Sequence, residues 1–520
     1  MAQPFYITTA INYPNGRPHI GHAYEAIAAD AIARFHRQAG DDVRFQTGTD
    51  EHGLKMMQTA RDRGMQTPAL AEEMSNHFRV MADMFNISYD RFIRTTDADH
   101  YAASQAIWQA MADAGDLYLS RYEGWYSVRD EAFYDEKELV EGEGGKLSPQ
   151  GTPVEWTAEE SWFFRLSKYQ QPLLDHYAAN PDFIQPASRR NEILRFVEGG
   201  LSDLSVSRTS FDWGVPVPGA PGHVMYVWVD ALTNYLTGIG YPARDGDFAR
   251  YWPAALHLIG KDIVRFHAVY WPAFLMSAKV ALPQKVFGHG FVLARDGSKM
   301  SKSAGNVADP VALAEAYGVD ALRYFLLRDI SFGQDGSYSA EAIVTRANAD
   351  LANSFGNLAQ RTLTQIFKNC GGALPAINGH DAADTALFEA VGAAVRGAMP
   401  QAYGELALSQ ATEAWIQAVF ACNAYIDEQA PWALRKTDPA RMETVLATLY
   451  ICIAQLAVAI APVIPASAAK LLDAMGIAPE LQDFQAIAGH WYSPLAESEF
   501  RLAQPVPLFP RLEMPAEEAA

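Results

Sequence analysis

Two histidines three residues apart, His19 and His22, follow a turn-rich segment near the start of the 520-residue chain. The apolar residues 4–11 predict a strand before this turn, and a helical pattern begins at about Gly21. Backbone N–H groups at a helix start favour a phosphate group, and imidazoles three residues apart share one helix face. The segment therefore predicts a site that suits the α-phosphate of ATP. The alternatives are a structural pair of histidines or half of a metal site.

A second candidate segment, Lys-Met-Ser-Lys-Ser, lies far along the chain at residues 299–303. It carries two ammonium groups, on Lys299 and Lys302, and Gly297 and Gly305 flank it. Lysine acts as a mobile point charge, so closure of this loop over pyrophosphate would bring positive charge to a leaving group. Taken alone, this segment could equally be an ordinary basic turn exposed to solvent. Together the two segments favour chemistry at a phosphorus atom.

The elements that must position these segments begin with a strand, a helix that ends at Gly40 and a second strand at residues 43–47. This βαβ order predicts a parallel sheet with its ligand site at the carboxyl ends of the strands, where the loop 48–53 also lies. Helical patterns then continue to about Gly115. The first part of the chain is therefore predicted to build one edge of a ligand-binding sheet.

The middle of the chain is predicted to interrupt this sheet. Residues 116–140 are aromatic and strand-like, and the Gly-rich residues 141–151 predict a flexible loop, so an inserted domain is expected. Residues 224–229 and 255–260 are strand-like and are predicted to resume the parallel sheet. From about Ala340 onwards, Ala-rich helical periodicity predicts a bundle.

Charge limits the partners that the whole surface can attract. The chain has 41 basic and 61 acidic side chains, a formal net charge of −20, which argues at first against a polyanion such as RNA. Net charge does not exclude a local basic face. Clusters that would supply one, unless they are only solvated surface, are Arg189, Arg190 and Arg195, then Arg361, Arg435 and Lys436.

Cysteine spacing and apolar segments indicate the compartment. Cys370, Cys422 and Cys452 are too far apart for a C-x-x-C motif or a disulfide framework and are predicted to be reduced buried thiols. The uncharged residues 445–469 are long enough to span a membrane, but interruptions such as Pro462 favour a helix buried in a bundle. The N-terminus has no basic flank and no long apolar stretch, so a cytoplasmic location is expected.

The pairing of residues 19–22 with residues 299–303 resembles the class I aminoacyl-tRNA synthetases, over nearly the whole chain. Segments that resemble the methionyl enzymes of this class are Ala-Ile-Asn-Tyr (10–13), Thr-Asp-Glu-His-Gly (49–53), Tyr-Val-Trp-Val-Asp-Ala (226–231) and Ile-Gly-Lys-Asp-Ile-Val (259–264). The resemblance implies activation of methionine by ATP, with Mg²⁺, to methionyl-adenylate and pyrophosphate. Transfer to the terminal adenosine of tRNA(Met) would follow, for both initiation and elongation of translation.

The same resemblance implies an α/β fold. A Rossmann-like parallel-sheet catalytic domain would be interrupted by a connective-peptide domain and followed by an α-helical anticodon-binding bundle. The expected boundaries are 1–115 and 224–295 for the catalytic parts, 116–223 for the insertion, 296–345 for the loop and stem-contact region, 346–514 for the bundle and 515–520 for a disordered tail.

Carried over position by position, the resemblance also assigns roles to residues. Those assigned to catalysis are His19, His22, Lys299 and Lys302. Those assigned to ATP are the same four with Gly21, Gly260, Lys261, Asp262, Met300, Ser301 and Ser303. Asp50 would hold the methionine ammonium group, and the side chain would be enclosed by Ile11, Tyr13, Trp228, Tyr235 and His267. A thioether packs well on aromatic rings and a carboxylate suits an ammonium group. Ordinary aromatic core packing is the alternative for residues 226–235.

In the helical part, residues 350–361 and 428–432 resemble anticodon-reading helices, so the candidate readers of tRNA are Asn357, Arg361 and Trp432. Amides hydrogen-bond exposed base edges, and an indole or a guanidinium stacks on splayed bases. Ordinary packing in the bundle is the alternative for Trp432.

Departures from the family pattern carry further expectations. The insertion contains no cysteine, so no structural zinc is expected. The chain ends soon after the bundle, so a monomer without a stable protein partner is expected. Leu232 stands where some relatives have proline, which leaves the fine geometry of the pocket open.

The rival interpretations differ in length, cysteine content or motifs. Synthetases for isoleucine, valine or leucine need a large editing insertion because one methylene gives only about 1–3 kcal/mol of discrimination. The cysteinyl enzyme uses zinc-binding cysteines. A cofactor-forming nucleotidyltransferase would lack the 299–303 loop and the helical part, and an RNA-binding paralogue without activity would not need the intact histidines and lysines.

Overall fold

The chain begins with alternating strands and helices. The computed structural model describes residues 2–14, 16–129, 132–142, 145–300 and 307–514. The elements up to residue 113 are β1 (Pro4–Thr9), α1 (Ile20–Gln38), β2 (Asp42–Thr49), α2 (Leu54–Asp62), α3 (Thr67–Met84), β3 (Arg91–Arg94) and α4 (Ala98–Asp113). The predicted βαβ opening is present. β3 is a short strand inside a region that was predicted to be helical.

Residues 116–140 contain the strands that the aromatic pattern predicted, and the region up to residue 225 adds further strands and two helices. Their elements are β4 (Leu117–Ser127), β5 (Ala132–Tyr134), β6 (Val140–Gly142), β7 (Gly145–Leu147), β8 (Glu155–Phe164), α5 (Gln170–Ala179), β9 (Ile184–Gln185), α6 (Ala187–Glu198), β10 (Leu204–Ser205), β11 (Ser207–Arg208) and β12 (Val224–Met225). A four-stranded sheet of order β10-β8-β4-β5 is the centre of this region.

The elements that follow return to the first sheet. They are α7 (Val227–Thr237), α8 (Gly246–Tyr251), β13 (Ala255–Gly260), α9 (Trp271–Ser277), β14 (Lys285–His289), β15 (Val292–Leu293), α10 (Pro310–Tyr317), α11 (Val319–Asp329) and β16 (Gly336–Ser337). The prediction of a sheet strand at residues 224–229 is wrong. β12 pairs antiparallel with β11 instead, and a helix begins at Val227.

The main sheet has six parallel strands in the order β3-β2-β1-β13-β14-β9. β9 belongs to this sheet although it lies within the range 116–223 that was expected to form the insertion. The strand order reverses between β1 and β13, and ligands of such sheets bind outside the carboxyl ends of the strands at this switch point. Two segments assigned to ATP follow from here, since α1 with its histidines comes after β1 and residues 260–262 come after β13.

A helical bundle completes the fold. Its helices are α12 (Ala340–Arg346), α13 (Asn357–Asn369), α14 (Ala382–Ala393), α15 (Met399–Gly404), α16 (Leu408–Gln429), α17 (Pro431–Thr437), α18 (Pro439–Ile460), α19 (Pro465–Ala474) and α20 (Tyr492–Glu497). A π-helical segment, Ala347–Gly356, joins α12 to α13. α18 is apolar and long enough to cross a membrane, but 89% of its most apolar window is buried inside the protein. It is a core helix, as predicted. It ends at Ile460, and a short turn separates it from α19.

The cysteines of the bundle are free thiols. Cys422 and Cys452 are buried, as predicted, whereas Cys370 is only half-buried. The predicted tail at residues 515–520 lies outside the described residues.

A buried guanidinium joins the bundle to the catalytic sheet. Arg323 of α11 is fully buried and donates to Asp30 of α1 at 2.7 Å. It also donates to the carbonyl oxygens of Phe85 (2.9 Å), Pro462 (2.8 Å) and Val463 (2.9 Å). Removing one partner of a buried ion pair typically costs about 3–5 kcal/mol, because the other charge is left without compensation. α1, α11 and the turn after α18 are therefore held in one arrangement.

Candidate active site

The two histidines at the start of α1 cap their own helix. The Nδ1 atom of His19 accepts from the backbone N–H of Gly21 at 3.1 Å, and the Nδ1 atom of His22 accepts from the backbone N–H of His19 at 3.0 Å. The two rings stack with their centroids 3.7 Å apart. A Cβ at Gly21 would lie 3.0 Å from the His19 ring, so this position favours glycine.

This cap determines where each imidazole carries its hydrogen. A nitrogen that accepts a hydrogen bond has no proton, so in both rings the Nε2 atom of the neutral form is the donor. The N–H groups of a helix start and the dipole add further positive character. The backbone N–H groups of Ile20, Gly21 and His22 are bonded within the protein, so the two Nε2 atoms are the groups that α1 would present to an anion, and the predicted phosphate site stays a prediction.

The chain that follows the lysine-rich loop returns to the start of α1. The backbone N–H of Ile20 donates to the carbonyl oxygen of Ala308 at 3.2 Å. On the other side of the loop, the Nζ atom of Lys299 lies 4.6 Å from the ring centroid of Phe291, and Met300 packs against the core. The predicted residues Ser301, Lys302 and Ser303 lie outside the described residues.

The segment after β13 provides a second cation. The Nζ atom of Lys261 pairs with the carboxylate of Asp335 at 2.7 Å and lies 4.6 Å from the Phe291 ring centroid. Asp335 also accepts from the backbone N–H of Phe291 at 2.9 Å. A Cβ at Gly260 would lie 2.7 Å from an oxygen of Asp262, so glycine fits this close turn. Lys261 and Lys299 therefore both lie beside the Phe291 ring.

A cavity of about 330 Å³ opens beside these groups. Lys261, Asp262 and Lys299 line one part of it, and Tyr134 and Gln150 of the strand-rich region line another. The cavity therefore places the candidate nucleotide groups next to the predicted insertion.

Three of the predicted methionine-facing residues contact one another. The Tyr235 hydroxyl lies 2.6 Å from the His267 Nε2 atom, and the His267 Nδ1 atom lies 2.9 Å from the carbonyl oxygen of Ile263. Since a carbonyl oxygen only accepts, Nδ1 carries the hydrogen and Tyr235 donates to Nε2. Trp228 stacks on Phe266 with ring centroids 3.8 Å apart and meets the His267 ring edge-on at 6.0 Å.

The other three predicted methionine-facing residues lie at the ends of β1 and β2. Asn12 bridges Thr49, and the backbone N–H of Asp50 donates to the carbonyl oxygen of Asn12 at 2.8 Å, so Ile11, Tyr13 and Asp50 are held at the same sheet edge. The Asp50 carboxylate is one of the charges that, with burial as the largest cause, raise the pKa of Tyr235. The Asp50 charge therefore acts on Tyr235. We call the three rings in contact, Trp228, Tyr235 and His267, the aromatic wall.

Comparison with known proteins decides the family. A model described as class I (M) tRNA synthetases matches residues 5–363, and one described as the anticodon-binding domain of methionyl tRNA ligase matches residues 374–497. The chain belongs to the class I methionyl-tRNA synthetases. The α/β fold with a helical anticodon domain and the enzyme class predicted from the sequence are confirmed.

Individual relatives of this synthetase agree with the family models. The methionine–tRNA ligase of Brucella suis is 56% identical over 510 residues, 98% of both chains. That of Mesorhizobium japonicum is 58% identical over 483 residues, 93% of both chains. The Mycobacterium tuberculosis methionyl-tRNA synthetase in complex with methionyl-adenylate superposes with a TM-score of 0.94 at 54% identity, and the match covers 98% of this chain and 100% of that one.

The structure brings two of the three candidate anticodon readers of the synthetase together. The Arg361 guanidinium lies 5.4 Å from the ring centroid of Trp432 and pairs with Asp427 at 2.6 Å. Trp432 is 44% exposed, so its ring is accessible for stacking. Asn357 is exposed at the first residue of α13, one helical turn before Arg361. Ordinary core packing does not describe this exposed indole.

Sequence reasoning missed other residues of the synthetase site. His289 at the end of β14 donates to Glu25 of α1 at 2.7 Å and lies 2.8 Å from the carbonyl oxygen of Gly290. Although burial lowers the pKa of His289, Glu25 outweighs this and raises it. Phe266, which stacks on Trp228, was missed as well. Its position beside His267 was the available signal, whereas the Glu25 pair required the fold.

Burial of His267 predicts a pH dependence of stability. Burial lowers its pKa to about 4, whereas histidine in an unfolded chain titrates near pH ~6.5. Between these values the unfolded state binds a proton that the folded state does not, so this group makes the protein less stable as the pH falls through the window. From about pH 7 to pH 5 the expected loss is about 2 kcal/mol.

The thermal midpoint checks this prediction. The drop in the midpoint between the two pH values should be smaller for His267→Gln than for the unmodified protein, because glutamine does not titrate. His490→Gln, at an exposed position, is the control and should leave the drop unchanged. An equal drop in all three proteins would contradict the assigned cause.

Proposed function

We propose that the protein joins methionine to tRNA(Met) in two steps at one site, at the carboxyl ends of β1, β2 and β13. The observation that carries the proposal is the bond from Ile20 at the start of α1 to Ala308, a residue that lies five positions after the lysine-rich segment in the sequence. In the aromatic wall, His267 comes after β13 of this sheet, and Trp228 and Tyr235 of α7 contact it. A nucleotide phosphate and an apolar amino acid side chain therefore have adjacent sites.

In the first step, a carboxylate oxygen of methionine attacks the α-phosphorus of ATP. A new P–O bond forms, the bond to the bridging oxygen of the β-phosphate breaks, and pyrophosphate leaves. The Nε2 donors of His19 and His22 would stabilise the charge on the α-phosphoryl oxygens, and Lys299 and Lys302 would neutralise pyrophosphate. Asp50 would hold the methionine ammonium group, which directs the carboxylate towards ATP.

In the second step, a hydroxyl of the terminal adenosine of tRNA attacks the carbonyl carbon of methionyl-adenylate. The family resemblance implies the 2′-hydroxyl. An ester bond to tRNA forms and AMP leaves. Asn357, Arg361 and Trp432 would select the anticodon far from this chemistry, so charging depends on two separate recognitions. The product serves both initiation and elongation.

Mg²⁺ would enter as part of the substrate, bound to the phosphate oxygens of ATP. Among the residues that the structure describes, no group of three or more histidine, cysteine, aspartate or glutamate side chains converges as metal ligands do. The protein would act as a cytoplasmic monomer without structural zinc. Light scattering should show the mass of one chain, and metal analysis should find less than one zinc per chain.

ATP–pyrophosphate exchange with a panel of amino acids tests the proposed activity. Methionine should support exchange at least about 10²-fold more efficiently than isoleucine, valine, leucine or cysteine, because the aromatic wall suits an unbranched thioether. Faster exchange with any of these four amino acids would overturn the assigned specificity.

The Tyr235 hydroxyl provides a test of the methionine site. Tyr235→Phe removes the donor to the buried His267 Nε2 atom and should raise the KM for methionine about fivefold, with the KM for ATP unchanged. Tyr450→Phe is a matched control, because its buried hydroxyl donates to the carbonyl oxygen of Met475 in the bundle. Equal effects of the two variants on the methionine KM would contradict the assignment.

A further inference from the structure

A buried carboxylate outside the proposed catalytic groups lies between two histidines from different elements. The Asp230 Oδ2 atom lies 2.6 Å from the His52 Nδ1 atom, and its Oδ1 atom lies 2.6 Å from the His100 Nε2 atom. Asp230 and His100 are fully buried and His52 is 1% exposed. Such a group is stable only when its charge is compensated and its oxygens accept hydrogen bonds.

The hydrogen bonds around this cluster hold the Asp230 carboxylate. Each of its oxygens lies on an imidazole nitrogen, and the His100 Nδ1 atom lies 3.0 Å from the Thr237 hydroxyl. Burial alone raises the pKa of Asp230, but the two histidines outweigh it and lower that pKa to about 2. Asp230 is therefore ionised and accepts from both rings.

His52 takes a different role in the cluster. Its Nδ1–H group donates to Asp230, and its Nε2 atom lies 3.0 Å from the Tyr101 hydroxyl. The His52 ring also meets the Trp213 ring edge-on at 5.4 Å, and the Trp213 indole donates to the carbonyl oxygen of Glu51 at 2.6 Å. The loop after β2 is therefore fixed on both sides of His52.

The cluster joins the two halves of the proposed methionine site. His52 lies two residues after Asp50, in the loop that carries the ammonium-binding carboxylate. Asp230 lies in α7, two residues after Trp228 and five before Tyr235, the rings of the wall. His100 comes from the neighbouring helix α4 and fixes the second oxygen of Asp230.

We propose that His52, Asp230 and His100 are positioning residues that set the distance between the Asp50 carboxylate and the aromatic wall, and through it the affinity for methionine. This inference rests on the proposed methionine site. A carboxylate with both oxygens bonded to imidazole donors admits one side-chain arrangement, whereas apolar packing admits several. The hydrogen bonds of the buried Asp230 thus fix the distance between the Asp50 carboxylate and the aromatic wall.

Paired amide variants test the inference through atom position. The amide nitrogen of asparagine matches the Nδ1 position of histidine, and that of glutamine matches Nε2. His52→Asn keeps the donor to Asp230 and His52→Gln loses it, while His100→Gln keeps it and His100→Asn loses it. The variants without the donor should raise the KM for methionine in pyrophosphate exchange about tenfold, with kcat and the KM for ATP within about twofold. Those with the donor should stay near the unmodified protein.

Two controls separate this role from general stability. Asp384 in the bundle is also fully buried and is bonded to Arg441 and Tyr425. Asp384→Asn should lower the thermal midpoint and leave the methionine KM unchanged. Trp228→Ala should raise the methionine KM about tenfold, by loss of ring contacts, and so reports on the methionine site itself.

The outcomes are distinguishable. Suppose that Trp228→Ala raises the methionine KM. If His52→Gln and His100→Asn then do not raise it more than His52→Asn and His100→Gln, the positioning role is overturned and the methionine site stands. If Trp228→Ala leaves the KM unchanged, the methionine site falls and the inference with it. Should a histidine variant fail to fold, Tyr101→Phe removes the hydroxyl at the His52 Nε2 atom. It should raise the methionine KM about threefold, and no change would count against the role of His52.

Discussion

Replacing His22 with asparagine is expected to slow ATP–pyrophosphate exchange about 10²-fold while the fold stays intact. The oxygen of asparagine lies where the His22 Nδ1 atom lies, so it still accepts from the backbone N–H of His19 and keeps the helix cap. Asparagine has no donor at the Nε2 position. The loss therefore falls on the transition state, in which charge develops on the α-phosphoryl oxygens, and methionine binding measured by tryptophan fluorescence should be unchanged.

His22→Gln is the matched variant. Glutamine reaches the Nε2 position with an amide donor but no longer caps the helix, so exchange should fall less than with asparagine and the thermal midpoint should fall more. The same order of loss in rate and midpoint for both variants would show that His22 acts only as a cap. Unchanged exchange in the asparagine variant would remove His22 from the catalytic groups.

Trp432→Ala is expected to reduce kcat/KM for charging of tRNA(Met) about 30-fold without changing pyrophosphate exchange. Stacking of a base on an aromatic ring contributes about 1–3 kcal/mol, and the exposed Trp432 ring beside Arg361 provides such a surface. Exchange takes place without tRNA, so it isolates the activation step. Aminoacylation with labelled methionine and exchange are measured on the same preparation.

Phe367→Ala is the control for this prediction. Phe367 is also an exposed aromatic residue of α13, 36% exposed, but it lies six residues after Arg361 and therefore on a different face of the helix. It should leave charging unchanged. A matching loss of exchange in Trp432→Ala, or an equal loss of charging in the control, would sink the assignment of Trp432 to the anticodon.

The first βαβ unit was predictable because its periodicity and its turn residues agree. The start of α7 was not. Residues 224–229 are apolar, and all except Met225 are β-branched or aromatic, a pattern that fits a buried strand and a buried helix equally well. Every residue of α7 except Trp228 is buried, polar residues included, so the helix has no solvent-facing stripe that would reveal its period. Whether this segment forms a strand or a helix therefore depends on the tertiary packing around it, which the local sequence does not show.

The candidate site shows the same limit. Motifs placed His19, His22 and Lys299 because their chemistry is local to short segments. The cluster of His52, Asp230 and His100 needed three distant segments to meet, and single residues of it carry no signal beyond a loop histidine or a helix carboxylate. Ser301, Lys302 and Ser303 are assigned by sequence alone, and their roles stay predictions.

The buried Arg323 holds the catalytic domain and the helical bundle in one relative position. Its guanidinium fastens the helix that begins at the phosphate site to the turn that follows α18 of the bundle, through one carboxylate and three carbonyl oxygens. These contacts hold α1 and the end of α18 at a fixed separation. If the helical part reads the anticodon as proposed, a tRNA with a shorter or longer anticodon arm would not reach both sites at once.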